Sequence, residues 1–168
     1  MSATTISQRL DRVQQAYGED RPLPAFAGLI VAYSGTVAGL TLLAARRRRL
    51  ADSTSAADLV LFGIATHKLA RIMAKDPITS PIRAPFTRLE GTTGPAELHE
   101  EVVGDGWRHA VGELLTCPFC LGQWIGTGFV FGGMLLPRAT RAVASTFVVH
   151  AIADALQFGY AALERTDR

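Results

Sequence analysis

The distribution of charged residues along the chain constrains its fold more than any other feature of the sequence. Residues 25–45 form 21 consecutive positions without Asp, Glu, Lys or Arg, and residues 114–137 form another 24. Because a helix rises about 1.5 Å per residue, about 20 apolar residues cross the hydrocarbon core of a bilayer. Both stretches are therefore predicted to be transmembrane helices.

Composition alone does not distinguish a membrane protein from a soluble one. The chain has 168 residues, of which 48% are apolar and 19% charged, and this balance excludes disorder. An ordinary soluble domain has a similar apolar fraction. The 2 cysteines are too few for a disulfide-stapled secreted scaffold. The position of the charges, and not their number, indicates the membrane.

Two further stretches are apolar but carry narrow polar stripes. A soluble amphipathic helix has a wide polar face, so these stretches are better interpreted as two more spans. The predicted fold is all-α, a four-helix transmembrane bundle. Its spans are residues 25–45, 56–74, 113–136 and 140–163.

The parts outside the bilayer are an N-terminal segment and one long loop. Residues 1–24 are predicted to contain a short amphipathic helix over 5–17, ahead of a membrane domain over 25–168. Residues 75–112 form an ordered cap loop between spans two and three, in which a short helix is expected from Pro95.

A four-residue basic run follows the first span: Arg46, Arg47, Arg48 and Arg49. Directly after a span, such a run is typical of a topology anchor at anionic lipid headgroups, which predicts that this loop is cytoplasmic. No basic patch on a soluble face accompanies the run, so nucleic acid is not an expected partner.

Ionisable groups inside a membrane are costly and normally face a partner in the bundle. We expect Arg71 to pair with Asp154 or Glu113. Such a group is either a structural ion pair or a polar cavity for a proton, an ion or a small ligand. The predicted intramembrane polar cluster consists of His67, Arg71, Glu113, Gln123, His150 and Asp154.

Small residues recur at the spacing that lets helices approach closely. This spacing predicts tight packing between spans, or a homo-oligomer or protein partner bound through the same faces. The pairs are Gly35 and Gly39, Gly122 and Gly126, and Gly128 and Gly132.

The motif Cys117-Pro118-Phe119-Cys120 is the sharpest local signal in the sequence. Pro118 suits the first turn of a helix, whose positive end favours thiolates. The two cysteines are candidates for packing, for a redox pair or for half of a metal site. A metal site would need His67, His99 or His109 as well, and the sequence indicates no definite metal or cofactor.

The run GELLTCPFCLGQW (residues 112–124), together with residues 58–86, resembles the domain of unknown function 1360 family of small bacterial multi-pass membrane proteins, one of which is associated with sporulation. The resemblance extends over residues 56–163 and implies an integral protein of the bacterial cytoplasmic membrane. It transfers no activity. The matching residues are Arg71, Ile78, Gly112, Glu113, Cys117, Cys120, Gly122, Trp124 and the cap-loop motif Asp76, Thr79, Arg83, Pro85 and Phe86.

Three functions are compatible with these features. The first is a structural or partner-binding membrane protein. The second is a thiol redox or metal-binding protein that uses Cys117 and Cys120, and the third is a small transporter or lipid-modifying enzyme that uses the Arg/Glu/Asp cluster. Because the chain lacks a phosphate loop, a zinc-protease motif and a nucleophile elbow, the sequence favours the first, which is not an enzyme.

Overall fold

A computed structural model describes residues 12–13, 15–18, 21–50, 54–95 and 97–166, most of which are helical. Of the predicted N-terminal helix, residues 12–13 and 15–17 are helical, and the remainder lies outside the described residues. The elements after it are α1 (Leu23–Arg46), α2 (Ala56–Lys75), a 3-10 turn (Pro77–Thr79), α3 (Ser80–Arg83), β1 (Thr87–Gly94), β2 (Glu97–Val102), α4 (Gly106–Thr116), α5 (Pro118–Leu135) and α6 (Pro137–Thr166).

The chain divides into two compact units. The described residues up to Thr36 together with Lys75–Cys117 form the first, which we call the hairpin unit. Val37–Ala74 and Pro118–Arg168, as far as they are described, form the second, which we call the helical unit.

Among the described residues, two helices are long and apolar enough to cross a membrane. They are α1, in which an 18-residue stretch has mean hydropathy 1.8, and α6, in which such a stretch has mean hydropathy 1.3. The bent pair α4–α5 passes the same test only if it is counted as one span. The helix α2 is not among them because Asp58, Lys68 and Arg71 interrupt its apolar surface. A four-helix membrane bundle is therefore not confirmed.

The helical unit is packed around small residues and one aromatic pair. The rings of Phe62 on α2 and Phe129 on α5 stack with centroids 5.8 Å apart, and Ala65 and Ala144 are buried beside them. A Cβ on Gly133 would lie 2.7 Å from the Phe62 ring, so α2 and α5 meet at this point only because residue 133 is glycine. Of the glycines predicted to pack in span three, Gly122 and Gly126 would place a Cβ in ordinary contact with Thr66, at 3.8 and 3.6 Å, whereas Gly128 has nothing within 4 Å.

The cap loop contains a β-hairpin, which corrects the all-α prediction. Strands β1 and β2 pair antiparallel, from Thr87 opposite Val102 to Gly94 opposite Glu97. The helix expected from Pro95 is wrong, because residues 97–102 form strand β2, in which burial alternates from Leu98 to Val102. Leu98, Glu100 and Val102 are half-buried, whereas His99 and Glu101 are exposed.

Candidate functional site

The hairpin unit is built around one fully buried arginine, Arg83, at the end of α3. Its Nε donates to Glu100 Oε2 at 2.5 Å, and its Nη2 donates to Glu100 Oε1 at 3.2 Å. This fork-to-carboxylate geometry fixes both side chains and neutralises a charge that would be very costly to bury alone. The pair joins α3 to β2.

The preceding 3-10 turn supplies the remaining acceptors of the guanidinium. Arg83 Nη1 donates to Thr79 Oγ1 at 2.6 Å, and Nη2 donates to the Asp76 carbonyl oxygen at 3.1 Å. Thr79 Oγ1 in turn donates to that same carbonyl at 2.9 Å. Throughout the described residues, no buried side-chain nitrogen or oxygen is left without a hydrogen-bond partner. We name this arrangement of Asp76, Thr79, Arg83 and Glu100 the arginine hub.

The rest of the cap-loop motif connects the hub to α4. The Pro85 carbonyl accepts from Arg108 Nε at 2.8 Å, and the Phe86 carbonyl accepts from the Val103 N–H at 2.9 Å. A Cβ on Gly112 would lie 3.1 Å from the Phe86 carbonyl oxygen and closer still to a methyl group of β2. Glycine at position 112 therefore allows α4 to lie against the hairpin.

Glu113 forms a second polar group in the hairpin unit. Its two carboxylate oxygens accept from the two terminal nitrogens of Arg21, both at 3.0 Å, and His109 Nε2 lies 3.0 Å from Glu113 Oε1. The Arg21 guanidinium also lies over the Phe26 ring, 5.1 Å from its centroid. Because the Arg21 side chain is 50% exposed, solvent screens this group far more than the arginine hub.

The remaining members of the predicted polar cluster lie in the helical unit, and only some are enclosed. Asp154 is half-buried and accepts from Lys68 Nζ at 2.5 Å. Lys68 was not part of the predicted cluster; it precedes Arg71 by one helical turn, and Arg71 itself is half-buried. His67, Gln123 and His150 are exposed, so the helical unit does not enclose them and their place in the predicted cluster stays a prediction. The interior faces of these helices are occupied by alanine and phenylalanine instead.

An ion pair that the sequence did not predict closes one end of the helical unit. Arg141 on α6 donates to both carboxylate oxygens of Asp58 on α2, at 2.7 and 2.8 Å. Ser55 Oγ accepts from the Asp58 N–H at 3.1 Å and donates to its carboxylate at 2.9 Å. This is the capping pattern that the Ser55–Asp58 spacing could have revealed. The pair borders a cavity of about 240 Å³.

The two cysteines lie at the junction between α4 and α5. Cys117 has an extended backbone between the two helices and is half-buried, whereas Cys120 is exposed in the first turn of α5. The predicted place of Pro118, at the start of a helix, is confirmed. Within the part of the chain that the structure describes, no three His, Cys, Asp or Glu side chains are grouped as a metal site requires.

Sequence reasoning missed four partners in these groups: Glu100, Arg21, Lys68 and Arg141. Only Leu98 and Val102 are apolar in residues 97–102, so the alternation that places Glu100 in a strand is visible in the burial of the folded hairpin and not in its sequence. Arg21, Lys68 and Arg141 had no signal in the sequence either, since each bonds a residue more than 80 positions away in the chain.

The fold and these groups define a mostly helical protein with two helices able to cross a membrane and a hairpin unit folded around a buried arginine. The chain belongs to the family described as "Protein of unknown function (DUF1360)", whose model matches residues 61–160. The match includes the arginine hub, Glu113 and both cysteines.

This chain is also similar in sequence to a curated protein. The chain is 30% identical over 86 residues to the sporulation protein YjcA of Bacillus subtilis (strain 168), an alignment that covers 49% of this chain and 73% of that protein. No solved structure matches the chain.

Proposed function

We propose that this chain is a multi-pass protein of the bacterial cytoplasmic membrane with a structural or partner-binding role. It crosses the bilayer four times, through α1, α2, the region of residues 113–136, and α6. The length and hydropathy of α1 and α6 support two of these crossings. The Phe62–Phe129 stack supports α2 as a third, because α2 packs on α5 through apolar side chains.

The arginine hub is the observation that carries the structural or partner-binding role. The Arg83 guanidinium of the cap-loop motif is fully buried and bonded inside the hairpin unit, so it is not open to a substrate, and Asp76 contributes its backbone carbonyl to this group. Apolar side chains lie outside instead, with Ile78 81% and Leu89 61% exposed. Exposed apolar side chains beside a buried polar group suit recognition of another protein better than catalysis.

Site-specific photocrosslinking in cells tests this role. A photoreactive amino acid at position 89 should give a discrete protein adduct. The matched control is position 88, which is also exposed but lies on the other face of β1, and it should give little or none. An adduct of twice the chain mass would identify a homo-oligomer. Equal labelling at both positions, or adducts only with lipid, would contradict a specific protein contact.

A thiol redox role is the second candidate, and the exposure of Cys120 at the start of α5 favours it. Maleimide labelling in intact cells, with and without a reductant and a chelator, separates the two functions. A redox pair becomes more reactive after reduction, and a metal-bound pair after chelation. Thiols that label equally under all three conditions would contradict the redox and metal-binding roles.

A further inference from the structure

A cavity of about 490 Å³ lies in the helical unit at the end of α1 and the junction of α5 with α6. It is separate from the arginine hub, the Glu113 group and the Asp58–Arg141 pair. The residues that line it are Leu43, Arg47, Arg49, Leu135 and Leu136.

The lining combines two chemistries. Three leucines form apolar walls, and two arginines provide the only charges among the lining residues. A guanidinium matches the geometry of phosphate oxygens and binds them through two parallel hydrogen bonds. A molecule that complements the whole cavity therefore needs an anionic phosphate at one end and an apolar chain at the other.

The backbone between the two arginines is held in a costly conformation. Arg48 has φ 53°, the left-handed region in which glycine normally ends a helix. The Arg48 N–H donates to the Ala45 carbonyl and the Arg49 N–H donates to the Ala44 carbonyl, both at 2.9 Å, which completes a Schellman cap on α1. Glycine would make the same turn without strain, so arginine at position 48 strains the backbone of this cap.

We propose that this cavity binds an anionic phospholipid. Its phosphate lies between Arg47 and Arg49, and its acyl chain lies along Leu43, Leu135 and Leu136. The cavity is at the end of α1, where a helix that crosses a bilayer reaches the headgroups. This inference rests on the proposed membrane insertion. A free phosphate shares the headgroup chemistry but leaves the leucine walls uncovered.

Titration of the delipidated full-length protein with phosphatidylglycerol in a neutral detergent, read by native mass spectrometry, tests the proposal. The test variant is Arg47→Gln with Arg49→Gln. The matched control is Arg46→Gln with Arg48→Gln, which removes the same charge from the same basic run but none from the cavity lining. At about 0.15 M salt, where charges are screened beyond about 8 Å, the test variant should bind about tenfold more weakly and the control less than about twofold.

Three results of this titration would contradict the proposed lipid site. Equal weakening in both variants would mean diffuse attraction rather than a site, and no weakening in either would remove the proposal. Leu136→Gln should also weaken lipid binding, whereas inorganic phosphate at equal concentration should not displace the lipid. Displacement by phosphate would assign the cavity to free phosphate.

Two further measurements keep the outcomes distinct. If the glutamine variant loses wild-type helicity by circular dichroism, the variant Arg47→Lys with Arg49→Lys replaces it. The lysine variant keeps the charge but loses the bidentate geometry of the guanidinium. It should bind the lipid about threefold more weakly than the wild type. Unchanged affinity in the lysine variant would contradict phosphate recognition by the arginines. Release of the protein from membranes by alkaline carbonate would contradict membrane insertion, and the titration in detergent reports the cavity independently of that result.

Discussion

The two units of this protein are stabilised in opposite ways. The interior of the hairpin unit contains a charge, Arg83, whose carboxylate partner and hydrogen-bond acceptors come from β2 and the 3-10 turn. The interior of the helical unit contains stacked rings and alanines, and its Asp58–Arg141 pair lies toward one end. A single lost hydrogen-bond partner should therefore damage the first unit, whereas a change of volume should damage the second.

Breaking the arginine hub gives the largest expected effect. Arg83→Met leaves the Glu100 carboxylate buried without its cation, which should destabilise the hairpin unit by about 3–5 kcal/mol. Hydrogen exchange of β1, β2 and α4 peptides measures this loss. The control Arg88→Met removes an exposed arginine of β1 and should change little.

A double variant sharpens the same prediction. Arg83→Met with Glu100→Leu removes both charges, so it should recover most of the stability lost in the single variant. If Arg83→Met alone leaves exchange unchanged, the hub does not hold the hairpin unit together.

Adding a methyl group at a closely packed glycine tests the packing of the helical unit. Gly133→Ala directs a methyl group into the Phe62 ring and should cost about 1–3 kcal/mol of unfolding free energy. Gly128→Ala, on the same helix with open space around it, should be neutral or stabilising by up to about 1 kcal/mol. Unfolding in detergent measures both, and equal destabilisation would contradict close packing at Gly133.

These contrasts also show what sequence reasoning could reach. The apolar stretch that became α1 was visible because membrane length and the absence of charge are local properties. The cap-loop motif was visible through the family resemblance, which names its residues but not their contacts. The partners of Glu113 and Asp154 were not, since an ion pair between distant residues leaves no periodicity.

The hairpin was missed for a different reason. Pro95 followed by acidic residues also fits the start of a helix. Pairing with β1 and the bond from Arg83 to Glu100 outweigh that local preference. The alternation of half-buried and exposed side chains in β2 distinguishes a strand from a helix here, and it is seen only in the folded structure.

A substitution in the C-terminal cap of α1 should have a smaller effect on stability, and it should stabilise the protein. Arg48→Gly relieves the left-handed backbone and should stabilise the protein by about 0.5–1 kcal/mol. Arg46→Gly removes the same charge from within the helix and should destabilise it by up to about 1 kcal/mol. Unfolding in detergent compares the pair, and a loss of stability in both would mean that position 48 carries no strain.

The exposed Glu113 group should give the smallest effect. Glu113→Gln should cost less than about 1 kcal/mol, because Arg21 is well solvated. The loss should shrink further in about 1 M salt, where the screening length falls to about 3 Å. Glu101→Gln, an exposed carboxylate on β2, is the control. A loss as large as that of Arg83→Met would show that Glu113 is structurally as important as the hub.

The side of the membrane on which the β-hairpin lies tests the central proposal most directly. In a variant with Cys117 and Cys120 replaced by alanine, single cysteines are placed at Arg48, Leu89 or Thr166 and labelled with a membrane-impermeant maleimide in intact cells. Four crossings predict that Leu89→Cys and Thr166→Cys label from outside, whereas Arg48→Cys labels only after lysis. Labelling of Arg48→Cys and Leu89→Cys from the same side would show that α2 does not cross the membrane and would contradict the four-span protein.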